Sequence, residues 1–164
     1  MLDSVLCLNN IKSRFMHTKG PAMPHKEKIA WMTLLWIAVT YGPYFVHVAL
    51  SPPEPGVMPN LPQLWLLALA AGGHGVLHIL GRIGLRIAAP DDARAPADER
   101  DRDIERRSIV VAYYVMMTGM ILVGMVMPFT TSGWQIVNAG LLAIVLAEIT
   151  QNGLAAWSYR RSAA

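Results

Sequence analysis

The chain has 164 residues, of which 54% are apolar and only 15% charged, whereas an ordinary soluble domain carries about 25% charged residues. That balance excludes a soluble globular domain of the usual kind. The formal charge of +3 does not indicate a nucleic-acid partner, because the basic residues flank apolar stretches instead of forming a patch.

The first 28 residues form a tail with one short apolar run, Val5 to Leu8, too brief for the apolar region of a signal peptide, which needs about 7 to 15 residues. Its Cys7 is the only cysteine, so neither a disulfide framework nor a cysteine metal motif is available. Met23, directly before Pro24, His25 and Lys26, is an alternative start, with the preceding stretch as an upstream extension.

Four segments then meet the requirement of about 20 predominantly apolar residues for crossing a hydrocarbon core of roughly 30 Å: residues 29–50, 61–80, 109–129 and 136–157. Apolar residues surround the whole circumference of each, as expected where lipid is the solvent, and only helix satisfies every backbone group inside such a span. The predicted fold is therefore all-α, an integral membrane four-helix bundle over residues 29–157 with a short tail at 158–164. Pro43 is expected to kink the first span. Between spans one and two, Pro52, Pro53, Pro55 and Gly56 turn the chain; between three and four, Thr130, Thr131, Ser132 and Gly133 do so.

All 14 Lys and Arg residues fall in the N-terminal tail, the 81–108 connection or the C-terminal tail, and neither hairpin loop contains one. The positive-inside rule then predicts both termini and the 81–108 linker in the cytoplasm. Trp31, Trp65, Trp134 and Trp157 lie near span ends, where aromatic rings favour the headgroup level.

Within the linker, Asp98, Glu99, Arg100, Asp101 and Arg102, with Arg106 and Arg107, predict a helical extension of span three with Asp98 as N-cap. Spacing suggests the pairs Asp98–Arg102, Asp103–Arg107 and Glu99–Arg102. The plain reading is a solvated charged face that sets orientation; the sharper one is a contact surface for a cytoplasmic protein or for anionic headgroups, the latter weakened by the seven acids between Asp91 and Glu105.

The run Asp98-Glu99-Arg100-Asp101, then Ile104 and a span opening near Tyr113 and Tyr114, with KEKIAWMTL at the start of the first span followed by TYGPYF, resembles uncharacterised small bacterial inner-membrane proteins of the DUF2178 type. The resemblance implies a bacterial cytoplasmic-membrane location and no established enzymatic activity, and it supplies no catalytic residues.

Ionisable groups at membrane depth cost about 2.5 to 3.5 kcal/mol each on insertion scales, so each needs a reason. At about 1.5 Å per residue, His74 in span two and Glu148 in span four both lie on the order of 20 Å from the hairpin side, with His78 one turn beyond His74. Glu148, Gln151 and Asn152 share a helical face, and span one adds Thr40, Tyr41 and Tyr44. Three readings of this intramembrane polar cluster follow. Interhelical hydrogen bonding needs no further function. Proton or small-solute movement would use Glu148 as carrier and His74 as relay. A His/His/carboxylate metal site has the right spacing for two ligands, but no HExxH motif occurs, His47 lies too near the outer end of span one, and haem lacks an opposing histidine. Met116, Met117, Met120, Met125 and Met127 read as core packing rather than a copper path. With no nucleotide loop, nucleophile elbow or zinc-finger spacing, the chain is expected to be non-enzymatic and without cofactor or metal. The expected role is binding or regulation at the cytoplasmic face, with a proton-coupled transporter or metal-binding protein as the alternative. Small-residue faces would support a homodimer.

Overall fold

The structure, a computed structural model, describes residues 23–52, 60–94, 98–131 and 133–161. The tail with Cys7, Lys12, Arg14 and Lys19, the turn residues Pro53, Pro55 and Gly56, Pro96 in the linker, and Ser132 lie outside the described residues. Among the described residues there are helices and no strands: α1 His25–Leu50, α2 Leu61–Ala88, the short α3 Pro90–Arg94, α4 Glu99–Ile121 and α5 Trp134–Arg161. The helical path of α4 continues through a π turn, Leu122–Val126, and a 3-10 turn, Met127–Phe129. The four long segments, α1, α2, α4 with its two turns, and α5, are each long and apolar enough to cross a membrane.

Local chemistry accounts for the boundaries. Asn60 caps α2 by accepting the Gln63 N–H at 3.2 Å, and Asp98 caps α4 by accepting the Glu99 N–H at 2.7 Å. Pro43 lies inside α1, which runs unbroken through it; the expected kink therefore does not interrupt the helix. Pro128 has the larger effect, because it lacks the N–H that would continue the ladder. Just before it the backbone rewinds, and the Met127 N–H reaches back five residues to the Leu122 carbonyl. Thr130 and Thr131 then close the segment, both N–H groups donating to the Met127 carbonyl at 3.0 and 2.7 Å. Gly133 turns the chain into α5 at φ 62°, where any side chain would be strained.

Helix α2 is longer than its apolar run at 61–80: it continues through residues 81–88 and carries Arg82 and Arg86 as helix. The chain packs as two antiparallel hairpins, α1 with α2 and α4 with α5, joined through α1 and α5. Six of the buried core residues are alanines, Ala30, Ala70, Ala112, Ala143, Ala147 and Ala156, which let backbones approach closely. Closest approach falls at two glycines. A Cβ at Gly81 of α2 would collide with Met32 Sδ, and one at Gly119 of α4 would lie 2.6 Å from the Ala143 Cβ of α5.

Large apolar side chains point outward. Leu35, Leu69, Ile79 and Ile87 are exposed, and no more than 22% of the most apolar window of any long helix is buried. Four of the five methionines read as core packing belong to this outer surface: Met116, Met117, Met120 and Met125 are exposed, and Met127 is half-buried. Conversely Trp134 is buried, whereas Trp31, Trp65 and Trp157 are exposed.

Candidate functional site

Polar side chains gather at three levels between the hairpin end, where the two tight turns lie, and the linker end. The middle level holds the expected His–Glu contact. His74 of α2 places Nε2 3.8 Å from Glu148 Oε2 of α5, within ion-pair distance though beyond a hydrogen bond. On its other side, His74 Nδ1 lies 3.4 Å from Thr40 Oγ1, and that hydroxyl donates to the Trp36 carbonyl at 2.7 Å. With the hydroxyl proton directed there, the Thr40 oxygen can accept from Nδ1 in the tautomer that carries its proton on that nitrogen. Nε2 faces Glu148 Oε2, the only carboxylate within ion-pair distance of His74 among the described residues. The His74 side chain is 14% exposed and that of Glu148 46%, so the carboxyl remains accessible from one side. Tyr41 packs a tilted ring on His74 at 5.3 Å between centroids, and His78 stacks on it at 6.0 Å with 14° between planes.

The rest of the expected cluster divides. Tyr44 belongs to the hairpin-end level, where its hydroxyl donates to Asn138 Oδ1 at 2.6 Å. Asn138 Nδ2 in turn donates to Gln63 Oε1 at 3.4 Å. All three residues are buried, and they tie α1, α5 and α2 together without a charge. Asn138 and Gln63 were missed in the sequence; the visible signal was an amide inside each apolar run. Gln151 and Asn152 lie toward the linker end instead. Asn152 Nδ2 donates to the Glu148 carbonyl at 2.9 Å, and both residues line a cavity of about 310 Å³ with walls from all four long helices. Of the small residues of α2 around His74, Ala70 is buried and Ala71 exposed; nothing approaches a Cβ placed at Gly75, whereas Gly81 lies against Met32.

The linker-end level is ionic. Lys26 of α1 lies 3.3 Å from Glu105 and 3.9 Å from Asp101, both of α4, and Asp101 also accepts a hydrogen bond from Tyr159 of α5. Asp101 is thus engaged within the bundle, by α1 and α5. The buried carboxyl of Glu27 lies 3.7 Å from Arg160 Nε and accepts from Trp31 Nε1 at 3.4 Å, while the Arg160 guanidinium stacks 4.8 Å over the Trp31 ring. Glu27, Lys26 and Arg160 were not singled out from the sequence, because a charge at a span end reads first as orientation. Among the described residues the expected pairs Asp98–Arg102, Asp103–Arg107 and Glu99–Arg102 do not come within ion-pair distance. Asp98, Glu99, Arg100, Arg102, Arg106 and Arg107 are exposed on α4 and its cap.

No group of three His, Cys, Asp or Glu side chains among the described residues is arranged to hold a metal ion; His78 lies parallel to His74 rather than converging with it on a common point. Compared with models of known protein families, with curated proteins and with solved structures, the chain matches none.

Proposed function

We propose that this is a non-enzymatic multi-pass protein of a bacterial cytoplasmic membrane that exchanges protons at the His74–Glu148 pair, alone or coupled to a small solute. Four apolar helices with outward-facing large side chains support the membrane setting. The one-sided Lys and Arg distribution supports cytoplasmic termini and linker, and the likeness of the Asp98–Asp101 run to DUF2178-type proteins supports the bacterial membrane. The observation that carries the function is the 3.8 Å contact between His74 Nε2 and Glu148 Oε2. Each partner is costly alone at that depth, and an imidazole beside a carboxyl brings together two side chains able to take up and release protons.

The test is proton flux into proteoliposomes containing a pH-sensitive dye, driven by a potassium-valinomycin potential. Wild-type protein is expected to acidify the lumen faster than empty vesicles, and Glu148→Gln to fall to the empty-vesicle rate. Equal flux in wild type and Glu148→Gln would remove the proposal. A second reading, docking of a cytoplasmic protein on α4, is favoured by the exposure of Arg102, Arg106 and Arg107. It predicts a partner in pull-downs that is lost when the three are changed to Glu, and no partner recovered counts against it.

A further inference from the structure

Every fourth residue of α2 from mid-depth downward is basic: His74, His78, Arg82 and Arg86. At that spacing the four lie along one side of the helix. The first is used by Glu148 and the second stacks upon it. Arg82 and Arg86 have no carboxylate within ion-pair distance among the described residues. Both line the cavity of about 310 Å³ at the linker end and are themselves exposed, which places them at its mouth.

Two further features of that cavity suit an anion. Its fixed charges are Lys26, Arg82 and Arg86 against the single carboxylate of Glu105, and Glu105 is already engaged by Lys26 at 3.3 Å, as is the neighbouring Asp101 at 3.9 Å. The arginine charge is therefore left uncompensated. Around it lie polar groups with capacity to spare: the Gln151 amide, which makes no hydrogen bond among the described residues, and His25, whose buried Nδ1 lacks a partner. Arginines that serve only to orient a helix need no such wall opposite them.

We infer that this cavity binds a phosphate group, held by the guanidinium groups of Arg82 and Arg86 with Gln151 and His25 behind it. Paired guanidinium forks match phosphate oxygens in both charge and geometry, and the volume admits some organic body beyond the phosphate. That group belongs either to a free phosphorylated solute or to a lipid headgroup at the membrane surface. The site lies apart from the His74–Glu148 pair, so it stands or falls independently of proton exchange.

The experiment uses the full chain in a neutral maltoside detergent, with isothermal titration of inorganic phosphate in one arm. Native mass spectrometry with dioleoyl phosphatidylglycerol forms the other, against dioleoylglycerol, which lacks the phosphate. Saturable binding of one equivalent is expected in at least one arm. Phosphate binding marks a free solute; binding of phosphatidylglycerol alone marks a headgroup. Arg82→Gln with Arg86→Gln should weaken binding about tenfold or more, whereas Arg102→Gln, on the exposed side of α4, should leave it unchanged. Should the double Gln variant not fold, Arg82→Lys with Arg86→Lys keeps the charges, removes the forks and is expected to weaken binding several-fold at an unchanged circular dichroism spectrum. No saturable binding in either arm overturns the assignment, as does binding undiminished in the arginine variants.

Discussion

Replacing Gly119 by alanine sets two effects of similar size against each other. Alanine is favoured over glycine inside a helix by about 1 kcal/mol, so by propensity alone the variant would gain stability. Against this, the new methyl would lie 2.6 Å from Ala143 Cβ and 3.5 Å from its Cα, while carbon atoms rest about 3.5 to 4.0 Å apart. The obstacle is a Cβ fixed to the α5 backbone, so relief requires the two helices to separate by about 1 Å. Overpacking of this kind costs about 1 to 3 kcal/mol, and the net expectation is a loss of about 1 kcal/mol. Gly72→Ala is the control, because nothing lies within 4 Å of a Cβ there, and it should be neutral or stabilising. Thermal or detergent-induced unfolding of the purified protein measures both. Adding Ala143→Gly to Gly119→Ala restores the space, so the double-mutant cycle should show a favourable coupling of about 1 to 2 kcal/mol. Gly119→Ala gaining stability like Gly72→Ala, with no coupling to position 143, would refute the close α4–α5 approach.

Asn138→Leu leaves the Tyr44 hydroxyl and the Gln63 amide without their shared partner and should cost about 1 to 3 kcal/mol; adding Tyr44→Phe should cost little more, and strictly additive losses in unfolding would dissolve the network. Arg160→Ala removes the cation beside the buried Glu27 carboxyl. Because Arg160 is 66% exposed, the loss should be about 1 kcal/mol, short of the full penalty for a buried pair, and an unchanged melting temperature would show the contact to be idle. For orientation, a membrane-impermeant maleimide applied to intact cells, in a Cys7→Ser background, should label Thr131→Cys at the hairpin end and spare Arg94→Cys in the linker; the opposite pattern would invert the proposed topology.

The four long helices were legible because length and apolar content are properties of the sequence itself, and Asp98 as a cap was legible from its position before a charged helical run. What sequence left open was rotation about each helix axis. A span apolar on every side carries no periodic mark of its packed face, so the methionines of α4 read as core and prove exposed, while Trp134 read as a surface anchor and is buried. Charge also masked helix length: Arg82 and Arg86 look like linker in a composition scan, yet they extend α2 by two further turns. Depth arithmetic along two spans brought His74 and Glu148 to one level, and they do meet. The same arithmetic could not separate Tyr44 from Tyr41, because three residues of helix change both the level and the neighbour a side chain reaches.

The unequal character of the three polar levels gives the His74–Glu148 pair a direction. Toward the hairpin end lie Tyr44, Asn138 and Gln63, uncharged, buried and mutually hydrogen-bonded, so that level offers no charged group and little surface open to water. Toward the linker end the helix surfaces become progressively more polar: His78 follows His74, Asn152 is bonded to the Glu148 carbonyl, and the cavity beyond is ringed by charge. Glu148, with 46% of its side chain exposed, is the member of the pair that such a route would reach. On the proposed function, proton exchange would be easier from the linker end, with the amide network as the barrier on the far side. Removing that barrier should be felt as leak: proteoliposomes carrying Asn138→Ala should pass protons faster than wild type while still depending on Glu148. A variant that leaks without Glu148 would show that protons bypass the pair, and the network would then be a structural tie rather than a seal.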